Sequence, residues 1–270
     1  MNNIGLALGG GAVLGAAHIG VLKAIEEKGL EIKFITGTSI GAFVAALYAF
    51  GKDWSEIKEI TSELKWADIT SISLSRYSLL TNDKFGALLV KHIGDKNIED
   101  SVIPIAIIAT DASSGEKVIL QKGPIAKAVM ASTCIPGIFK PVVIEDRMLV
   151  DGGIVENVPI NTLRKIGAEY VIGVDLNANH NYQKPDNILD VLMNSFHFIM
   201  QQSAKLQTED ADLLIKPDLS SFDRTDTKQI GDLIKKGYED TIKTLENKDI
   251  TIQTNWWSRV LSSIRRSLGT

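Results

Sequence analysis

The stretch Phe34-Ile35-Thr36-Gly37-Thr38-Ser39-Ile40-Gly41 decides how this chain is read. An apolar pair leads into Gly-x-Ser-x-Gly, and the residues from Ala42 to Phe50 are almost wholly apolar. That order describes a short buried strand, a sharp turn and a buried helix. Gly37 and Gly41 remove the Cβ atoms that would clash where a strained turn brings chain segments together. The helix that follows aims its N-terminus at Ser39, which favours negative charge developing there. Two readings fit these residues: a nucleophile elbow, or a strand–helix turn with a buried, hydrogen-bonded serine.

Working outward, Ile4 to Leu8 is another short apolar run, and it ends in Gly9-Gly10-Gly11-Ala12-Val13-Leu14-Gly15. Ala16 to Lys28 has helical spacing, closed by Gly29. The chain therefore opens strand–turn–helix–strand–turn–helix. Unpaired amides at a glycine-rich helix start can hold an anion, either a nucleotide phosphate or the oxyanion of a tetrahedral intermediate. A dinucleotide fingerprint beginning at Gly9 needs Gly or Ala where Leu14 stands, and an acidic residue about 20 residues on, where the second strand instead ends in Thr36-Gly37. No Gly-Lys-Ser/Thr is present for a P-loop. The nucleotide reading falls behind, and the oxyanion reading leads, alongside a tight turn that binds nothing.

Further along, Asp53 to Leu64 reads as an amphipathic helix, with Asp53 and Glu56 forming a capping box. Residues 66–80 are rich in Ser and Thr without a clear period, and a lid is one use for them. Asn82 to Ile93 reads as a helix. Val102 to Thr110 and Lys117 to Gln121 read as strands, and Gly123-Pro124 opens a helix with proline at its first position. Val142 to Glu145 and Met148 to Val150 suggest a hairpin around Asp146-Arg147. A short helix over Asn157 to Ile166, a strand over Tyr170 to Asp175, and long helices over Asn187 to Gln202 and Thr227 to Leu245 complete the domain, taken as residues 1–250 with a tail at 251–270.

A serine nucleophile needs a proton acceptor. The four histidines are His18, His92, His180 and His197. His18 lies in the first helix, His92 ends another, His180 sits among asparagines, and His197 falls in an apolar helix. None follows a strand as triad histidines do. Asp151 does: it closes Met148-Leu149-Val150 and precedes Gly152-Gly153, and strand ends are where sites form in open α/β sheets. The tripeptide alone also fits an ordinary Asp-Gly turn. A carboxylate near its usual pKa of about 3.9 is a weak base, so the site would have to desolvate it.

Four ordered blocks resemble the patatin-like phospholipases. They are the glycine-rich turn, the Ser39 motif, Ala131-Ser132-Thr133-Cys134-Ile135-Pro136-Gly137-Ile138-Phe139-Lys140-Pro141, and Asp151-Gly152-Gly153 continued by Asn157-Val158-Pro159. Ala109-Thr110-Asp111 also ends a strand as in that family. The likeness runs over residues 4–216, toward small bacterial single-domain members and the catalytic domain of neuropathy target esterase. It implies a three-layer α/β/α sandwich with a mostly parallel central sheet. It further implies a Ser39–Asp151 dyad without histidine, and an oxyanion hole from the amides of Gly10 and Gly11. The implied substrates are phospholipids, lysophospholipids or other lipid acyl esters, with no metal or other cofactor. Acyl transfer or thioester hydrolysis by the same dyad, and a catalytically weak lipid-binding protein, are the competing readings. Two departures stand out: Leu14 replaces the usual basic residue, and Ala12 replaces a glycine.

The 270 residues carry a net charge of −4, a pI near 5.6 and a mean hydropathy of +0.07. No positive field exists to draw nucleic acid. Cys134 is the single cysteine, which excludes an internal disulfide and fits a cytoplasmic protein. No apolar run approaches the ~18 residues of a membrane span, so membrane contact is expected to be peripheral. Trp256, Trp257, Val260, Leu261, Ile264 and Leu268 can share one helical face, with Arg259, Arg265 and Arg266 beside them. Residues 255–268 therefore suit either a membrane interface or a docked helix, in this chain or in a homo-oligomer.

Overall fold

The computed structural model describes residues 3–64, 71–75, 78–179 and 184–248. His180, the basic tail at 255–268 and part of the 66–80 segment lie outside them. In chain order the opening is β1 (Ile4–Leu8), a 3-10 turn (Ala12–Ala16), α1 (Ala17–Glu27), β2 (Phe34–Thr38), α2 (Ile40–Ala49) and α3 (Trp54–Ser62). Next come β3 (Ser71–Ser75), β4 (Ser78–Thr81), α4 (Asp83–Ile93), β5 (Ile105–Asp111), β6 (Lys117–Leu120), α5 (Ile125–Ser132), β7 (Val142–Ile144) and β8 (Arg147–Asp151). The chain continues through α6 (Ile160–Lys165), β9 (Tyr170–Val174), α7 (Ile188–Gln207), β10 (Leu213–Ile215) and α8 (Ile230–Asn247).

The main sheet has the order β10-β9-β1-β2-β5-β8-β7, with β6 added to β5. Strands β10 to β5 are parallel, while β6, β7 and β8 pair antiparallel. The parallel strands are buried and mostly apolar because both faces are covered, with Thr36 and Thr38 of β2 and Thr110 and Asp111 of β5 as the polar exceptions. Leu6 and Leu8 of β1 pack into the larger core with α1 and α2, while Ala7 between them faces Ile160 and Leu163 of α6. Helices thus cover both faces of a central sheet, the sandwich expected from the sequence.

Element boundaries differ from expectation by a few residues, for local reasons. The first helix begins as a 3-10 turn, and Pro124 and Pro159 sit just outside their helices rather than within the first turn. The β7–β8 turn falls on Glu145-Asp146, both at positive φ (47° and 61°), the geometry of a two-residue primed turn. The Asp53–Glu56 capping box is present. Two elements were not anticipated. One is the edge strand β10, three residues long. The other is the antiparallel β3–β4 pair inside the segment read as aperiodic.

Helix α8 is locked onto α1 through glycine. A Cβ at Gly20 of α1 would lie 2.0 Å from the Ile234 carbonyl oxygen and 2.5 Å from the Tyr238 nitrogen. A Cβ at Gly237 of α8 would lie 2.2 Å from the Ala17 carbonyl oxygen. Backbone faces backbone, so neither helix can yield by rotating a side chain. Gly20→Ala is expected to cost about 3 kcal/mol, the upper part of the overpacking range, read as a lower urea midpoint at unchanged m-value.

Candidate active site

Ser39 sits between β2 and α2 at φ 55° and ψ −130°, a backbone region unfavourable for any residue with a Cβ. Its surroundings enforce that geometry. The Ser39 N–H donates to Ser132 Oγ at 2.9 Å, and the Ser132 hydroxyl donates to the Ile108 carbonyl at 2.6 Å. The Ser39 carbonyl accepts from the Ala42 N–H at 2.9 Å, which starts α2. A Cβ at Gly41 would strike the Leu8 carbonyl oxygen at 2.2 Å, and one at Gly37 would meet the Ala42 Cα at 2.5 Å. The two motif glycines are therefore what lets β1, β2 and α2 meet at the serine.

Sheet register brings Asp151 to the same point. Thr38 of β2 pairs with Ile108 of β5, and Asp151 of β8 pairs with the next residue, Ala109. Because β6 occupies the other edge of β5 at these residues, β2 and β8 meet end to end on one edge. Gly152 fits there only without a side chain, since its Cβ would lie 2.3 Å from the Ile108 oxygen. The Asp151 N–H donates to the Cys134 carbonyl at 2.8 Å, and its carbonyl accepts from Thr110 Oγ1 at 2.8 Å.

The Asp151 carboxyl is fully buried. Oδ1 accepts the Gly153 N–H at 2.8 Å, and Oδ2 has no close hydrogen-bond partner among the described residues. Burial pushes its pKa up to about 7, against a looser hydrogen bond from Ser39 and the Gly153 amide, which pull it down. Its charge in turn adds to the burial that drives the Cys134 thiol up to about 12. A carboxylate poised near neutrality against a serine hydroxyl is suited to accept its proton.

The glycine-rich turn closes over this pair. A Cβ on Gly10 would lie 3.0 Å from the Ser39 Cβ and 2.6 Å from the Met200 methyl. Gly153 is hemmed in by the same Met200, and Gly15 by Ile40. The turn is tied down on several sides. The Gly9 N–H donates to the Val174 carbonyl at 3.2 Å, and a His18 ring nitrogen bonds the Gly9 carbonyl at 2.7 Å. Asn177 Nδ2 donates to the Gly10 carbonyl at 2.8 Å, and Arg224 Nη1 donates to Asn177 Oδ1 at 2.8 Å. The Val13 N–H donates to the Arg224 carbonyl at 3.1 Å. Leu14 lies wholly in the apolar core, yet a buried guanidinium from a distant loop stands beside the turn.

One expectation needs correction here. The Gly10 N–H is not open: it donates to Asn157 Oδ1 at 3.1 Å. The amides without an acceptor among the described residues are those of Gly11 and Ala12, and both residues line the cavity that contains Ser39. Ala12 takes φ 52°, the conformation that a glycine would hold without strain. Neither Asn157 nor Arg224 was assigned to the site from sequence. Asn157 had a signal, since it continues the Asp151 block; Arg224 had none.

Phe85, Phe139, Phe196 and His197 complete the walls around Ser39. His18 is buried, and burial lowers its pKa to about 4 despite the Gly9 bond. His92 pairs with Glu63 at 3.0 Å on the surface. Among the described residues no group of three or more His, Cys, Asp or Glu is arranged to hold a metal. Nor is any described helix long and apolar enough to cross a membrane.

A strand–turn–helix carrying a strained serine, met by an aspartate from an antiparallel strand, sits in a helix-flanked α/β sheet. The family model described as patatin-like phospholipase matches residues 6–164, and the chain belongs to that family. Similar proteins include an NTE family protein of Mycobacterium tuberculosis, 34% identical over 181 residues, which is 65% of this chain and 49% of that protein. Lysophospholipase nte1 of Aspergillus fumigatus is 32% identical over 65% of this chain and 12% of its own length. Patatin-like phospholipase domain-containing protein 6 of Mus musculus is 33% identical over 66% of this chain and 14% of its own. The chain thus spans half or less of the length of these relatives. Among solved structures, VipD from Legionella pneumophila shares the fold at TM-score 0.64 and 14% identity, over 92% of this chain and 67% of that one. The type III effector ExoU does so at 0.52 and 14% identity, over 91% of this chain and 53% of its own.

Proposed function

We propose that this chain is a serine acyl hydrolase that cleaves acyl esters of phospholipids, lysophospholipids or related lipids. The observation that carries the reading is a fully buried carboxyl beside a strained serine and two open amides, and that burial raises the carboxyl's pKa. Asp151 takes the Ser39 proton as Oγ attacks the ester carbonyl, and the amides of Gly11 and Ala12 hold the oxyanion. Gly10 can join them if Asn157 releases its amide. The intermediate collapses as Asp151 returns the proton to the departing alcohol, leaving an acyl–Ser39 ester. Water, deprotonated by the same carboxylate, then attacks that ester and regenerates the serine.

Lipid as substrate is supported by family membership and by the names of the fungal and mouse relatives. It also fits α7. One face of this helix lines the cavity through Phe196 and Met200, while Ile188, Val191, Leu192, Phe198 and Ile199 point outward and are 44–80% exposed. An apolar outer face backing a lipid site suits a peripheral contact with a lipid surface. The test is labelling with a fluorophosphonate, together with fatty-acid release from a panel of lysophospholipids and phospholipids. The wild-type chain should label once and release fatty acid from at least one lipid class. A folded chain that does neither would return the site to a binding role.

A further inference from the structure

The glycine-rich turn is a run of trans peptide planes, each with its carbonyl and its N–H on opposite edges. In the Gly9–Gly10 plane both edges are taken, the carbonyl by His18 and the N–H by Asn157. In the Gly11–Ala12 plane the carbonyl accepts the Leu14 N–H at 3.2 Å, inside the turn itself. The plane between them is held from outside. Its N–H belongs to Gly11, which lines the Ser39 cavity, and its carbonyl belongs to Gly10 and accepts from Asn177 Nδ2. Leu8 of β1 pairs with Val174 of β9, so the two chains leave the sheet side by side and Asn177 arrives next to the turn. Asn177 is fully buried. Its N–H donates to Asp175 Oδ1 at 2.9 Å, its carbonyl accepts from Gln201 Nε2 at 3.0 Å, and its Oδ1 accepts from Arg224 Nη1 at 2.8 Å.

We infer that Asn177, oriented by Arg224, is a positioning residue that aims the Gly11 N–H at the oxyanion. This role rests on the hydrolase reading and names two groups outside the cavity on which its oxyanion hole depends. Holding one edge of a rigid plane fixes the other, so the bond on the Gly10 carbonyl sets the direction of the Gly11 N–H. Donation to that carbonyl also draws electron density across the amide, which strengthens the N–H as a donor. Arg224 decides which way the Asn177 side chain faces. A guanidinium only donates, and a backbone carbonyl only accepts. With Arg224 Nη1 at one end and the Gly10 oxygen at the other, Oδ1 must turn to Arg224 and Nδ2 to Gly10. A half-turn of the side-chain amide would set donor against donor and oxygen against oxygen, and would release the plane that carries the Gly11 N–H.

The test compares Asn177→Asp, Asn177→Leu, Arg224→Met and Arg224→Lys on a soluble p-nitrophenyl ester, with folding checked by thermal melting. An ionised Asn177→Asp side chain nearly keeps the shape and still accepts from Arg224, but has no donor for the Gly10 carbonyl. Losing an oxyanion donor outright costs on the order of 10²–10³-fold in kcat, so misaiming one should cost about 10- to 100-fold with KM held within about twofold. That fall is expected in both Asn177 variants and in Arg224→Met. Arg224→Lys keeps a donor for Oδ1 and should recover most of it. A trifluoromethyl ketone reads the oxyanion directly. The Ser39 oxygen bonds to its carbonyl carbon, the hydroxyl proton passes to Asp151, and the carbonyl oxygen takes the negative charge. Its affinity should weaken from variant to variant by the same factor as kcat/KM, a proportionality that a general loosening of the fold would not produce. A folded Asn177 variant with wild-type kcat, a fall in kcat with ketone affinity unchanged, or a loss confined to KM would overturn the role. If both Asn177 variants unfold, the Arg224 pair decides: wild-type kcat in Arg224→Met, or no recovery in Arg224→Lys, overturns it. These outcomes leave hydrolysis itself intact. Absence of both turnover and fluorophosphonate labelling in the wild type would instead remove the hydrolase reading, and this role with it.

Discussion

Ser39→Ala is expected to lower ester turnover on the order of 10⁶-fold, the scale seen when a hydrolase loses its nucleophile. Fluorophosphonate labelling should vanish with it. The hydroxyl bonds Asp151, but the contacts that fix this turn are made by the residue's backbone. Its N–H meets Ser132 and its carbonyl starts α2. Alanine keeps the Cβ and therefore keeps the strain of φ 55°. Ser39→Gly provides the contrast. It is equally inactive, but it removes the clash that makes this backbone unfavourable, an effect of roughly 1–3 kcal/mol less the added chain entropy of glycine. The melting temperatures should rank Gly above Ala, with Ala near wild type. Retained turnover in either variant would assign the nucleophile elsewhere, and a glycine variant less stable than alanine would remove the strain argument.

The parts of this molecule that were legible in the sequence are those whose physics is local. Gly37 and Gly41 flank Ser39 because three backbone segments converge there, and that demand appears as a spacing in the chain. Asp151 was readable as the end of a strand followed by two glycines, although its pairing partner, β5, starts more than forty residues earlier. What stayed hidden depends on approach between distant segments. Nothing near Gly10 signals that Asn157 takes its amide, so Ala12, apparently a defect in a glycine pattern, is the residue that leaves an amide open. Nothing near Leu14 signals that a guanidinium arrives from residue 224. Strand β10 is too short to display a period. By contrast Ser71-Ile72-Ser73-Leu74-Ser75 does alternate, and its serine content hid a period-two strand inside what read as a loop.

The same carboxyl that would serve catalysis should weaken the fold. An unfolded chain ionises Asp151 near 3.8, whereas the folded protein, which buries it, does so only near 7. Between those values the folded state holds a proton that the unfolded state has lost, so stability falls as pH rises through that window. Above pH 7 the full penalty applies, about 4 kcal/mol for a shift of this size. Asp151→Asn has nearly the same shape, can still accept the Gly153 N–H, and carries no charge to desolvate. Its stability advantage should be absent near pH 4, grow from there to pH 7, and remain constant above. At pH 8 that amounts to several degrees in melting temperature. Its turnover should fall by about 10²–10⁴-fold, the usual worth of a general base. In the wild type, kcat/KM should climb with pH through about 7 and then level, as the base ionises, and the Asn variant should lack that limb. The two readouts test one cause in opposite directions. A site tuned by desolvation must give up stability where it gains basicity, so an Asn variant that is inactive but no more stable at pH 8 than at pH 4 would mean that solvent reaches the carboxylate.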